Sequence, residues 1–109
     1  MKEHEISVIE KMKSYAIEAI QFKDDITFEQ FSLDRKTINA CVFNISQIGE
    51  LVSKLSSDFL EKNNFIPWRN MKYLRNKIVH DYDGVNLEVI WEILTIYLPE
   101  LVSELKKVK

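Results

Sequence analysis

Apolar residues recur along this chain at three- and four-residue spacing over long stretches, the signature of amphipathic helices. Residues 3 to 23 carry Ile6, Ile9, Ala16 and Ile20 beside Val8, Met12, Tyr15, Ala19 and Phe22, and these rows merge into one broad apolar face. "DDIT" ends that helix, and Thr27 with Gln30 matches a capping box opening a short turn through Phe31. Asp34 is placed to cap the longest helix, roughly 35 to 61, with a stripe of Ile38, Cys41, Val42, Ile45, Ile48, Gly49, Val52 and Leu55. Gly49 inside that stripe costs about 1 kcal/mol of helix propensity relative to alanine. A close crossing with another helix is the expected reason.

"NNFIPW" breaks the pattern, with Pro67 at the first position of a helix that runs to about His80. "DYDG" follows, its Gly84 suited to a turn, and Asn86 caps the last helical region. There Leu87, Ile90, Trp91, Leu94, Leu98, Leu101, Val102 and Leu105 keep register straight through Pro99. That predicts a kinked helix or two nearly collinear ones, because proline removes a backbone hydrogen bond. The fold class is all-α, in a single domain spanning residues 1–109. Val89, Ile93, Ile96 and Tyr97 lie off the main stripe. A helix apolar around most of its circumference is buried on two sides. Either it is enclosed at the centre of a monomer, or, as expected in so small a chain, another subunit covers it.

Composition narrows the function classes. With 109 residues the chain can bury a single core, and its 46% hydrophobic and 29% charged content is ordinary for a soluble protein. A net charge of −2 argues against a surface coated in basic residues, so any nucleic-acid contact must rest on a local patch. The lone Cys41 excludes an internal disulfide and fits a reducing cytoplasm. One cysteine and two histidines, His4 and His80, cannot build a multi-ligand zinc site in one chain. The charged N-terminus lacks the apolar core of a signal peptide, and no run is long enough to span a bilayer. The expectation is a cytoplasmic protein with no membrane partner and no cofactor.

The candidate chemistry lies in "LRNKIVHDY", residues 74 to 82. At 100° per residue, Arg75, Val79 and Tyr82 share a helix face. Arg75 and His80 stand roughly 140° apart and meet only if the helix loosens at "HDYDG". A histidine at a helix C-terminus has its charged form favoured by the dipole, which keeps it useful as a proton shuttle. Arg69, Lys72, Arg75 and Lys77 place four cations within nine residues with no acid among them. Trp68, Tyr73 and Tyr82 lie in or beside that patch and could stack on bases. The plainer alternatives are a chance arginine–histidine spacing and a solvated cationic face with snorkelling tyrosines. Asp81 and Asp83 read as turn and capping residues, His4 as part of a frayed first turn, and "KKVK" as a solvated helix end.

The Arg75–His80 spacing, with Asn76 after the arginine and Tyr82 two past the histidine, resembles the Rx4HxY signature of the HEPN domain superfamily. More narrowly it resembles the HepT-like toxins of HepT–MntA toxin–antitoxin pairs. "IGELVSKLS", "IPWRNMKYLRNKIVHDY" and "VIWEILTIYLPELVSEL" are similar to stretches of that family in the same order, so the likeness covers essentially the whole chain. The resemblance implies an up-and-down bundle of four to five helices, a homodimer with its motifs facing across the interface, and metal-independent RNA cleavage. Arg75 and His80 match the family's catalytic pair, and Asn76 its usual polar neighbour. Tyr82 matches the tyrosine that a partner minimal nucleotidyltransferase, an MntA-like antitoxin, modifies with AMP.

Metal-free RNA cleavage needs a base for the 2′-OH proton, a cation for the phosphate and an acid for the leaving 5′-oxygen. One histidine per chain cannot serve as base and acid at once, whereas a dimer supplies two copies of His80 and two of Arg75. Arg75 suits phosphate because its planar fork holds two oxygens. Lys77, Arg69 and Lys72, with Asn76, are candidates to hold the RNA substrate. The other function class is a non-catalytic subunit that presents a substrate or a tyrosine to a nucleotidyltransferase.

Overall fold

A computed structural model describes residues 2–80 and 86–109, with the side chains of Lys77, Val79 and His80 outside that description. The helices are α1 (Glu3–Lys23), α2 (Phe28–Leu33), α3 (Arg35–Val52), α4 (Ser57–Lys62), α5 (Trp68–His80), α6 (Leu87–Glu92) and α7 (Leu98–Leu105). A wide π turn, Ile93–Tyr97, joins the last two into one continuous rod. No strand occurs among the described residues, so the all-α bundle is as the sequence predicts. Among the described residues it contains six helical rods, where the sequence reading gives four to five.

The extra rod comes from the predicted helix 35–61, which splits. Past Val52 the backbone tightens into three-residue bonds, with the Lys54 and Leu55 amides donating to the Leu51 and Val52 carbonyls at 3.0 and 3.1 Å. The Ser56 hydroxyl then accepts from the Phe59 amide at 3.1 Å and starts α4. Leu55 and Phe59 are both buried, so the apolar stripe crosses the break and conceals it. The turn is fastened to α1 at two points. Ser56 Oγ donates to Glu5 Oε2 at 3.1 Å, and the His4 ring nitrogen Nε2 lies 3.0 Å from the Lys54 carbonyl oxygen. His4 is therefore tied down rather than frayed.

Three helix starts follow the sequence. Thr27 and Gln30 exchange the bonds of a capping box at 2.9 and 3.1 Å. Asp34 accepts from the Thr37 amide at 3.0 Å and its hydroxyl at 2.6 Å, bonds that hold the carboxyl below the usual carboxylate range. Asn86 accepts from the Glu88 amide at 2.8 Å. Pro67 sits one residue before α5 rather than at its first position, its carbonyl accepting the Met71 amide at 3.2 Å.

Helix α3 is central, packing on α1 along one side and α5 along the other, while α7 covers α1. Val8, Ile9, Met12, Ala16 and Ala19 face inward from α1, with Ile6 and Phe22 left on the rim. Buried Asn44 donates to the Tyr15 carbonyl and to Glu18 Oε1, at 3.1 and 2.9 Å. Stranding such an amide without partners would cost about 1–3 kcal/mol. Helix α2 seats Phe28 and Phe31 against Trp91 of α6, with ring centroids 5.9 and 5.2 Å apart. The last residues are not simply solvated: Val108 packs on the core, and buried Asn63 bonds both the N–H and the carbonyl of Lys109.

Ahead of Pro99, the Leu98 amide reaches back five residues to the Ile93 carbonyl. The wide turn makes room where a proline ring would crowd the preceding turn, so the helix continues without a regular bond at that point.

Candidate functional site

Helix α5 carries the patch, and Gly49 of α3 sets how closely it is held. A methyl group at Gly49 would overlap the Arg75 Cβ and stand 2.9 Å from the Met71 carbonyl oxygen. The predicted close crossing is thus between α3 and α5, at the arginine itself.

This contact leaves the Arg75 side chain 32% exposed, running between the two helices. Its Nη2 pairs with Glu50 Oε2 at 2.6 Å, and its Nη1 donates to Asn76 Oδ1 at 2.8 Å. Nε is buried without a partner among the described residues. Among the described residues, two of the five guanidinium hydrogens are committed to protein partners, one on each Nη, which leaves one on each. The group is therefore oriented yet still able to donate to a phosphate through its fork. Asn76 acts on the arginine directly, bracing it from the next position along the helix. The sequence alone does not mark Glu50. The available signal was its place beside Gly49, but nothing in the sequence names the partner across the crossing.

Arg69, Lys72 and Asn76 are exposed, and all three line one open groove of about 830 Å³ between α4 and α5. Tyr73 stands at its edge and is exposed, at 65%. Trp68 is not. It is buried, its ring nitrogen donates to the Asn63 carbonyl at 3.1 Å, and it packs 6.2 Å from Phe59. Of the three aromatics read as possible stacking platforms, this one is a core residue.

Helix α5 keeps helical backbone through His80, so the loosening expected at "HDYDG" does not begin before that residue. On a regular helix, backbone positions 75 and 80 are about 140° apart. The side chains of His80 and Lys77, together with Asp81, Tyr82, Asp83 and Gly84, lie outside the described residues.

A second, apolar groove of about 380 Å³ runs between α5 and the α6–α7 rod, lined by Tyr73, Leu74, Val89, Ile93, Ile96 and Tyr97. Val89 and Ile96 are 43% and 55% exposed, so part of the surplus read from the sequence does face outward. Ile93 does not: the π turn brings it above Leu98, into the core. The half-buried Tyr97 has its hydroxyl pKa pushed up to about 12, by burial first and then by Glu104 and Glu100. That hydroxyl has no hydrogen-bond partner among the described residues.

Among the described residues, no helix is long and apolar enough to cross a membrane. Among the described residues, no three His, Cys, Asp or Glu side chains gather as a metal site would need.

The family model described as Ribonuclease HepT-like matches residues 7–108. The chain is 37% identical to a candidate RNase of Methanocaldococcus jannaschii, over 93% of this chain and 80% of that protein. It is 37% identical to a candidate RNase of Caldanaerobacter subterraneus, over 76% of this chain and 74% of the relative. With a candidate ribonuclease HepT of Thermococcus cleftensis it shares 36% identity over 86% of each chain. No solved structure matches significantly.

Proposed function

Because the chain belongs to the ribonuclease HepT-like family, we propose that it is an endoribonuclease, cleaving RNA without a metal at a composite site across a homodimer. Arg75 binds the scissile phosphate and steadies the charge that grows on it. His80 of one protomer removes the 2′-OH proton, and His80 of its partner protonates the leaving 5′-oxygen. The products are a 2′,3′-cyclic phosphate and a 5′-hydroxyl. Arg69, Lys72, Lys77 and Asn76 hold the strand.

The observation that carries this reading is the state of Arg75. It is braced on two sides, keeps a hydrogen on each Nη as far as the described residues go, and lies on the same helix as exposed Arg69 and Lys72. The regular α5 backbone supports a composite site, because one chain sets positions 75 and 80 on different sides of its helix. The exposed apolar groove supplies a surface for the second copy.

We place the protein as the toxin of a pair whose antitoxin is an MntA-like minimal nucleotidyltransferase. AMP on Tyr82 would bring a phosphate against Arg75 and the basic patch, occupying the donors that RNA needs. The test of the site is Arg75→Lys beside Arg75→Ala. Charge survives in the lysine variant but the fork does not, so both should lose cleavage to a similar degree. A lysine variant that cleaves at close to the parent rate would reduce Arg75 to a general cation and remove this assignment.

A further inference from the structure

The bond between Glu50 and Arg75 links α3 to the candidate site, and RNA cleavage as proposed makes no use of the carboxylate. Glu50 follows Gly49, the residue that lets α5 approach, so the carboxylate emerges where Arg75 departs from its own helix. It meets Nη2 at 2.6 Å while remaining 49% exposed itself. A half-exposed ion pair of this kind contributes little to fold stability. Its consequence for the arginine is larger. An arginine carries several rotatable bonds, and an unheld guanidinium samples many positions before it meets a phosphate. With Asn76 on Nη1 and Glu50 on Nη2, the plane of the fork is fixed in advance.

We propose that Glu50 is a positioning residue: its carboxylate orients the Arg75 guanidinium for the scissile phosphate, touching neither substrate nor reacting atoms. This inference rests on the ribonuclease reading. The carboxylate also places a negative charge beside the incoming phosphate, so orientation is gained at the expense of affinity. The two effects separate in kinetics. Glu50→Ala lowers kcat, on the order of 10–100-fold for a group left out of alignment, while KM for RNA does not rise. Glu50→Gln retains an oxygen that can accept from Nη2, and so restores kcat to within about fivefold of the parent.

The experiment measures kcat and KM for an RNA oligonucleotide with the parent, Glu50→Ala and Glu50→Gln proteins, all with matching thermal melts. Alongside it, nitrogen-15 spectra of the Arg75 guanidinium report whether its Nη groups rotate freely. Slow rotation in the parent, released in Glu50→Ala and retained in Glu50→Gln, together with the kinetic pattern, supports the proposal. A Glu50→Gln protein as slow as Glu50→Ala, or a Glu50→Ala protein with unchanged kcat, overturns it. If the parent cleaves no RNA, the ribonuclease reading fails, and the spectra decide the clamp alone. Free rotation in the parent sinks it, whereas slow rotation that depends on Glu50 sustains it.

Discussion

A methyl group on Gly49 would overlap the Cβ of Arg75, so α3 and α5 meet nearly backbone to backbone where the candidate phosphate-binding arginine departs. Alanine there recovers about 1 kcal/mol of helix propensity. Overpacking costs about 1–3 kcal/mol, and one obstacle is the Met71 carbonyl oxygen at 2.9 Å, which cannot rotate aside as a side chain can. Gly49→Ala should therefore be destabilised on balance, its melting temperature lower by about 4–8 °C for each kcal/mol lost. Calorimetry of the two proteins decides it, and a variant melting at or above the parent temperature would mean a looser crossing.

The apolar groove should close in the dimer. Among the described residues, nothing covers exposed Ile96 and Val89 beside Leu74 and Tyr73. Ile96→Asp would bury a charge in that contact, which an interface core does not tolerate unpaired. Light scattering at micromolar concentration should report a dimer for the parent and a monomer for Ile96→Asp, with cleavage lost in the monomer. A monomeric parent would remove both the interface and the paired-histidine chemistry.

Stability should fall in alkali because of two protonated groups. Burial raises the Cys41 thiol from 9.0 to about 12, and Tyr97 from 10.0 to about 12. Both folded-state values lie above the unfolded ones, so this stability is complete below about pH 9. It drains as pH rises toward 12, since the unfolded chain releases its protons first. The urea midpoint should hold from pH 7 to 8.5 and decline above 9, less steeply in Cys41→Ala. Equal slopes in the two proteins would assign the alkaline loss to other groups.

Silencing should be covalent and confined to one tyrosine. Incubation with the partner nucleotidyltransferase and ATP should add one AMP to the parent and none to Tyr82→Phe, read by intact mass, with loss of cleavage in the modified protein. A gain that persists in the phenylalanine variant would place the switch elsewhere. No gain in either would favour silencing by direct binding.

Much of the fold is legible in local chemistry. Thr27 with Gln30, Asp34 and Asn86 announce helix starts because each satisfies an amide within three residues. The crossing at Gly49 is legible because a glycine in an apolar helical stripe has few other reasons to be there. The break before Ser56 is not, since Leu55 and Phe59 continue the buried stripe; the serine ahead of Ser57 and Asp58 was the available cap signal. Ile93 reads as surplus under a 3.6-residue period, and only the wider turn before Pro99 rotates it inward. At the site, the sequence marks Arg75, Asn76 and the exposed cations. It cannot mark Glu50, whose partner is 25 positions away and is set by packing, nor distinguish the buried Trp68 from the exposed Tyr73.

The most direct measurement is the chemistry of the cut ends. Purified protein is incubated with a defined RNA in excess EDTA and the fragments are weighed by mass spectrometry. The parent should release 2′,3′-cyclic phosphate and 5′-hydroxyl ends, and His80→Ala and Arg75→Ala should release none at matched concentration. Fragments ending in 3′-hydroxyl and 5′-phosphate, or cleavage that survives loss of His80, would contradict the account.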